Sequence, residues 1–268
     1  MSADPIAAQV CRDGNPPKLV SMLRYAITDR RLLGRSDSAR AEGLVAQAER
    51  LAARGDVDFL QLREKDLLPA QLAALARRIL EVLRTRSPGA PSVRGLGAPF
   101  IRDRQGAGEW EVNRSHRPRL LINSRVDVAI TVNADGVHLT SSPGELTPEQ
   151  VRALYVSAGL PLPTVSLSCH TLADVIAARG LRSEEELCFA PDPATTPDLI
   201  LFGPVFEKRV DDQLVTEGSG LKLLRQACAA ASPIPVLALG GITEENAAVC
   251  LEAGAAGIAG IRLYSLIE

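Results

Sequence analysis

Short apolar runs alternate with longer amphipathic segments along most of the chain, and this alternation constrains the fold more than any other feature. Each run is short enough for a β-strand, and the sequence that follows each of the first seven is compatible with a helix. Strands that alternate with helices predict a parallel sheet with helical crossovers. The strand candidates are residues 23–28, 57–62, 120–122, 136–140, 164–168, 199–202, 236–239 and 258–261.

Two of the amphipathic segments have a clear apolar face. They span residues 39–53 and 69–84, and Pro69 suits the first turn of the second helix, where no amide donor is needed. The apolar positions that recur at helical spacing are Leu44, Ala48, Leu51, Leu72, Leu75, Ile79 and Leu83.

Eight repeats of strand and helix favour closure of the sheet, so we predict an α/β fold with a single (β/α)8 TIM barrel. The chain has 268 residues, and such barrels typically have about 250. Length alone would also allow two domains. An open dinucleotide-binding sheet is disfavoured because no GxGxxG pattern follows the first strand.

Three features depart from the repeat, and one of them is an acidic, Pro-containing stretch at residues 181–197 before the sixth strand. Residues 84–119 form an Arg/Gly/Pro-rich insertion before the third strand, with eight arginines against three acidic residues. A loop before a strand lies on the face opposite the active site, so a surface insertion is favoured over an anion-binding flap. The sequence stops at Glu268, which predicts a truncated last helix. We therefore divide the chain into an N-terminal tail, 1–18, and the barrel, 19–268.

The composition excludes several classes of protein. Apolar residues make up 46% of the chain and the formal net charge is −2, which argues against disorder and against nucleic-acid or membrane-surface partners. No apolar run approaches the ~20 residues of a membrane-spanning helix. The N-terminus does not resemble a secretory signal, which predicts a cytoplasmic protein. Five scattered cysteines indicate free thiols rather than disulfides or a metal site.

Glycines follow the seventh strand, at the end of the barrel where ligands bind. Gly240 and Gly241 allow backbone amides to approach a phosphate closely, and Thr243 is a candidate cap for the next helix. Barrels often bind phosphate at the loops after strands seven and eight. Ile261 and Arg262 follow the eighth strand. We predict a phosphate site formed by Gly240, Gly241, Ile261 and Arg262.

Polar side chains follow several of the other strands. The segment QLREK places Gln61, Arg63 and Lys65 on one side of the second strand's end. Polar groups that point into a barrel mouth are costly unless a ligand or acidic partners meet them. We predict that they bind substrate, the alternative being an internal salt bridge, for example with Glu64. Asn123 and Ser168, at the ends of the third and fifth strands, complete the predicted substrate site.

Two of the three histidines are close to strand ends. His170 follows the fifth strand and is the candidate for proton transfer, because an imidazole titrates near neutral pH. The alternative is a structural histidine held by hydrogen bonds. His138 lies within the fourth strand and is interpreted as a satisfied core residue, whereas His116 lies in the insertion.

Several segments, taken in order, resemble the thiamine-phosphate synthase/TenI superfamily. They are RYAITDRR, QLREK, LLINSRVDVAI, GVHLTSS, SLSCHTLADV, DLILFGPVFEKR and PVLALGGITEENAAVCLEAGAAGIA. The resemblance implies a (β/α)8 barrel and a role in thiamine biosynthesis. One branch couples hydroxymethylpyrimidine pyrophosphate to thiazole phosphate and uses magnesium. Proteins of the TenI-like branch include metal-independent thiazole tautomerases.

The charged positions of the synthase pattern are altered here. The resemblance places a magnesium-binding Asp at Ser124, and the fourth strand continues as Thr140, Ser141, Ser142 and Pro143, without the second Asp. Asp127 and Glu145 are nearby but do not occupy these positions. Magnesium prefers carboxylate ligands, so the resemblance is closer to the TenI-like branch. It assigns proton shuttling to His170.

Three functions follow from the resemblance. The first is a tautomerase without a cofactor, in which His170 moves a proton between ring carbon and ring nitrogen and Arg63 or Lys65 pairs with the substrate carboxylate. The second is a thiamine-phosphate synthase, which alone would need magnesium. The third is a non-catalytic phosphate-ligand-binding or regulatory homologue. In each case the expected partner is a small phosphorylated thiazole, and a homo-oligomer is possible.

Overall fold

The computed structural model describes residues 22–85, 117–181, 190–210 and 213–265. The predicted tail at 1–18, the central part of the predicted insertion at 84–119, and Cys11, His116 and Cys188 lie outside these residues. The proposed domain boundaries therefore stay predictions.

Eight parallel strands close into a barrel in the order β1-β10-β9-β6-β5-β4-β3-β2. All eight predicted strands are confirmed, with small shifts at their ends. The barrel strands are β1 (Leu23–Ile27), β2 (Phe59–Leu62), β3 (Arg119–Asn123), β4 (Gly136–Leu139), β5 (Thr164–Cys169), β6 (Leu199–Phe202), β9 (Val236–Leu239) and β10 (Gly257–Gly260).

Helices connect the strands on the outside of the barrel. Both helices with a predicted apolar face are present, and the seven apolar positions named above are buried. The first helix begins after Ser36, whose hydroxyl accepts a hydrogen bond from the Ala39 amide, and ends at Gly55 in the left-handed conformation. The helices are α1 (Asp37–Arg54), α2 (Pro69–Thr85), α3 (Val126–Val132), α4 (Pro148–Ser157), α5 (Leu172–Ala178), α6 (Gly220–Ala231) and α7 (Ala247–Glu252).

A two-stranded antiparallel hairpin follows β6 and was not predicted from the sequence. Its strands are β7 (Lys208–Val210) and β8 (Gln213–Thr216). These strands form a separate sheet and do not join the barrel. The runs are short and lack an alternating apolar pattern, so they gave no strand signal.

After β10 the described chain forms a short 3₁₀ turn, Arg262–Tyr264, and no α-helix up to Ser265. The side-chain amide of Gln47 on α1 donates to the Tyr264 carbonyl at 2.8 Å. This turn is thereby attached to the first helix.

The apolar core has an inner and an outer part. Inside the barrel, Tyr25 and Phe59 pack with leucines from β1, β3, β6 and β9. The larger outer part lies between the sheet and the helices, where α2 buries Leu72, Ile79 and Leu83. Cys169, Cys228 and Cys250 are free thiols, as expected, and burial raises the pKa of Cys169 to about 12. Within the described residues, no helix has the length and apolar content needed to span a membrane.

Three glycines allow neighbouring strands to approach each other. A Cβ at Gly136 would lie 1.9 Å from the Thr164 carbonyl oxygen, and a Cβ at Gly257 would lie 2.1 Å from the Leu23 oxygen. The corresponding distance at Gly203 is 2.0 Å from the Leu239 oxygen. Any side chain at these positions would push the strands apart.

We predict that Gly136→Ala lowers the free energy of unfolding by about 3 kcal/mol, because a fixed backbone carbonyl blocks the added methyl group. Gly159→Ala is the control, because Gly159 has φ +70° but no atom within 4 Å of an added Cβ. The control is expected to cost about 1 kcal/mol from backbone strain alone. Urea unfolding of both variants is the measurement, and equal losses would contradict the steric argument.

Candidate active site at the barrel mouth

The predicted phosphate residues lie together at the ends of adjacent strands β9 and β10. Gly240 and Gly241 have φ of +94° and +66°, a conformation that favours glycine. Added Cβ atoms would lie 2.6 Å from Pro204 Cα and 2.6 Å from Phe206 Cβ, respectively. The double glycine is therefore required for the β9 loop to pack against the β6 loop.

Three backbone amides in this region have no acceptor within the part of the chain that the structure describes. Among the described residues, the amides of Gly241, Ile261 and Arg262 donate no hydrogen bond. The Arg262 side chain is exposed. Unpaired amides beside an arginine suit an anion, so the geometry is compatible with the predicted phosphate site.

Thr243 closes the turn before α7 rather than capping the helix itself. Its hydroxyl accepts from the Asn246 amide at 3.3 Å, and the Asn246 side chain accepts from the Thr243 amide at 2.9 Å. The helix begins after Asn246, three residues later than the sequence suggested.

His170 lies at the end of β5 and is exposed at the mouth. Its Nδ1 lies 2.6 Å from the Gly203 carbonyl oxygen. A carbonyl only accepts, so Nδ1 carries the proton and Nε2 keeps its lone pair in the neutral ring. The His170 amide also donates to Asp174 at 2.8 Å, which fixes the backbone. The ring is therefore oriented with Nε2 as its basic nitrogen, and this atom has no hydrogen-bond partner among the residues that the structure describes.

The predicted substrate residues of β2 separate into a buried and an exposed set. Gln61 is buried and donates from Nε2 to Asn123 Oδ1 at 2.8 Å. Its Oε1 is buried and has no hydrogen-bond partner among the described residues. Arg63 is half-buried and Lys65 is exposed. Among the described residues, neither basic side chain forms an ion pair.

Glu64 does not neutralise these basic side chains, so the salt-bridge alternative with Glu64 is wrong. Its carboxylate accepts from the Thr28 hydroxyl at 2.5 Å and from the Arg30 amide at 3.2 Å. The Arg30 guanidinium lies 3.7 Å away. Burial raises the pKa of Glu64, and the Thr28 hydrogen bond opposes this shift. Glu64 thus connects the β1 and β2 loops.

His138 is fully hydrogen-bonded inside the barrel, which confirms its interpretation as a satisfied core residue. Nδ1 lies 2.8 Å from Ser166 Oγ, and Nε2 lies 2.9 Å from Ser168 Oγ. The Tyr25 hydroxyl lies 3.0 Å from Ser166 Oγ. Burial, helped by the charges of Arg63 and Lys65, lowers the pKa of His138 to about 3.

Tyr25 and Ser166 belong to this polar cluster and were not among the predicted site residues. A signal was present in β5, where Thr164, Ser166 and Ser168 alternate with apolar residues. Alternate residues of a strand share one face. The pattern could therefore have placed both serines on the face that points into the barrel.

A hydrogen-bonded cluster lies where the family pattern has its metal-binding carboxylates. Ser124 Oγ donates to Glu145 Oε2 at 2.8 Å, and the Thr140 hydroxyl donates to the same oxygen at 2.9 Å. Asp127 instead pairs with Arg125. No group of three or more His, Cys, Asp or Glu residues suited to a metal occurs in the part of the chain that the structure describes. One carboxylate oxygen that already accepts two hydroxyls is a poor fit for Mg²⁺.

The closed barrel, with Gly240, Gly241 and His170 at the ends of its strands, defines the (β/α)8 class of fold. The family model described as thiamine monophosphate synthase matches residues 107–263, more than half of the chain. The chain therefore belongs to the thiamine-phosphate synthase/TenI family of thiamine biosynthesis.

Individual relatives agree with this assignment. The chain is 32% identical to the Aquifex aeolicus protein named "Putative thiamine-phosphate synthase 2", over 90% of this chain and 96% of that one. It is 29% identical to the thiamine-phosphate synthase of Caldanaerobacter subterraneus, over 91% and 86% of the two chains. The fold is similar to thiamine phosphate pyrophosphorylase from Pyrococcus furiosus, with a TM-score of 0.56, 23% identity and coverage of 90% and 86%.

The buried neutral His138 predicts a specific pH dependence of stability. The ordinary pKa is 6.5 and the folded value is about 3, so below pH 6.5 only the unfolded chain gains this proton. The free energy of unfolding should fall by about 1.4 kcal/mol per pH unit from this group. Urea unfolding at pH 7, 6 and 5 should show that the free energy of unfolding falls less steeply with decreasing pH in His138→Gln than in the unmodified chain. Equal pH dependence in the variant and the unmodified chain would contradict the prediction.

Proposed function

We propose that the chain is a metal-independent thiazole phosphate tautomerase with His170 as the proton-transfer group. The observation that carries the proposal is the orientation of His170, whose Nδ1 is held by the Gly203 carbonyl at 2.6 Å. This contact leaves Nε2 free as a base at the exposed mouth. A ring fixed in one tautomer needs no rearrangement before it accepts a proton.

Charge at the mouth supports binding of a substrate with two anionic groups. In the proposal, the amides of Gly241, Ile261 and Arg262 hold the phosphate, and Gly240 lets the loop approach it. Arg63 and Lys65 form no ion pair with described residues, so their charges are available for the substrate carboxylate. Gln61, Asn123 and Ser168 line the space between these two groups.

The proposed reaction is a proton shift that leaves the composition of the substrate unchanged. His170 Nε2 takes a proton from a ring carbon, and the electron pair of that C–H bond enters the ring. The imidazolium then returns the proton to an exocyclic carbon of the conjugated system and not to ring nitrogen, because a neutral aromatic thiazole has no N–H bond. Aromatisation supplies the driving force, and no redox partner is needed. The poor fit of the Ser124, Thr140 and Glu145 cluster for Mg²⁺ is consistent with this scheme.

The second candidate is thiamine-phosphate synthase, the activity named for the relatives above. A specific observation favours it. The Glu145 carboxylate contacts Ser124, the position at which the family pattern has a carboxylate. Glu145 thus supplies a carboxylate to that region from a different position in the chain. Mg²⁺ is often held by one or two carboxylates together with substrate phosphates. We derive no step through a metal here.

His170→Asn should lower the isomerisation rate by about 10²- to 10⁴-fold, because Asn cannot act as a base near neutral pH. The conversion can be followed by ultraviolet absorption as the thiazole becomes aromatic. His116→Asn, which removes a histidine of the predicted insertion, is the control and should leave the rate unchanged. Binding of the thiazole phosphate should persist in His170→Asn. Absence of turnover in the unmodified chain, with binding retained, would favour the non-catalytic homologue.

Pyrophosphate release from hydroxymethylpyrimidine pyrophosphate and thiazole phosphate should be absent with and without Mg²⁺, because Ser124 and Thr140 contact a single carboxylate, that of Glu145, within the described residues. Coupled phosphate detection is the measurement. Mg²⁺-dependent release would contradict the tautomerase proposal and favour the synthase. If release occurs, Glu145→Gln should abolish it, with Glu149→Gln on α4 as the control.

A further inference from the structure

A chain of four buried or half-buried polar groups extends from the barrel interior to the mouth. The Tyr25 hydroxyl contacts Ser166 Oγ at 3.0 Å, Ser166 contacts His138 Nδ1 at 2.8 Å, and His138 Nε2 contacts Ser168 Oγ at 2.9 Å. Tyr25, Ser166 and His138 are at most 3% exposed. Ser168 is half-buried and lies nearest the mouth.

The direction of donation along this chain follows from the number of available donors and acceptors. The Tyr25 side chain contributes one proton, and burial raises its pKa, so it stays protonated. If Tyr25 donates to Ser166, Ser166 donates to His138 Nδ1, and Nε2–H donates to Ser168. Every donor then has an acceptor, apart from the Ser168 proton itself.

The opposite direction leaves a buried proton without a partner. In that case Ser168 would donate to Nε2, Nδ1–H would donate to Ser166, and Ser166 would donate to the Tyr25 oxygen. The Tyr25 proton would then have no acceptor among the described residues, apart from the Nδ1 atom at 3.4 Å, which would itself be protonated. A buried hydroxyl proton without an acceptor is costly.

We propose that donation proceeds in one direction, from Tyr25 through Ser166 and His138, so that Ser168 presents its hydroxyl proton to the ligand in the mouth. Ser168 is thereby a specificity-determining donor that selects an acceptor atom, such as a carboxylate oxygen or a ring nitrogen without hydrogen. His138 is a positioning residue, which acts through Ser168 and does not itself touch the ligand.

This inference deepens the proposed function, because it states that Ser168 donates and the ligand accepts in one hydrogen bond at the same barrel mouth. It does not depend on the reaction being isomerisation, since the direction of donation is a property of the unliganded protein. The two histidines should have opposite tautomers, with the proton on Nε2 in His138 and on Nδ1 in His170. Nitrogen NMR distinguishes these states directly.

The first test is a long-range ¹H–¹⁵N correlation spectrum of the full chain, with His138 assigned by the loss of its signals in His138→Gln. We expect His138 to be protonated on Nε2 and unchanged between pH 5 and pH 8. A proton on Nδ1 would overturn the proposal whatever the catalytic activity. If the full chain shows the expected tautomer but no isomerase activity, that result contradicts the proposed function and leaves the direction of donation supported.

The second test is Tyr25→Phe, which removes the hydroxyl that fixes the direction. We expect a mixture of both His138 tautomers and an affinity for thiazole phosphate that is about 3- to 10-fold weaker by calorimetry. The control is Tyr155→Phe, which removes another buried hydroxyl, bonded to the Ala134 carbonyl outside the barrel. The control should change neither the tautomer of His138 nor the affinity for thiazole phosphate. Mixed tautomers with unchanged affinity would overturn the role of Ser168 in specificity.

Discussion

Parallel pairing between β1 and β10 closes the sheet, and the positions of all site residues depend on this closure. Leu23 through Ala26 pair in register with Gly257 through Gly260. Because the sheet is closed, side chains from strands far apart in sequence meet in one interior. Tyr25 and Ser166 are 141 positions apart yet lie within hydrogen-bond distance. The ends of β9 and β10 are neighbours through direct pairing of the two strands, and the proposed phosphate site lies there.

The sequence was sufficient to predict features that depend on local periodicity. Strand runs are bounded by turn residues and helices bury one face, so all eight barrel strands and the apolar faces of α1 and α2 were predicted. Residues at the ends of strands were also predicted to meet, because parallel strands end on the same side. His138 was correctly interpreted as a core residue because it lies within an apolar strand.

Features that depend on contacts distant in sequence were not predictable. The bond between Gln61 and Asn123 is set by the register of β2 and β3, which no local pattern specifies. Glu145 reaches Ser124 because the loop after β4 folds back, and its neighbours in sequence give no sign of this. The β7–β8 hairpin was missed for a related reason, since its strands pair only with each other.

Two different forces hold the two sides of the mouth. On the β1–β2 side, Arg30 bridges Glu64, Asp37 and Asp66, and the last two carboxylates are 80% and 61% exposed. On the β6–β9 side, the loops are held by backbone hydrogen bonds and by close packing on Gly240 and Gly241. Dissolved salt screens exposed charges but not steric contact. The rim near Arg63 and Lys65 should therefore loosen in concentrated salt, while the rim at Gly240 and Gly241 keeps its shape.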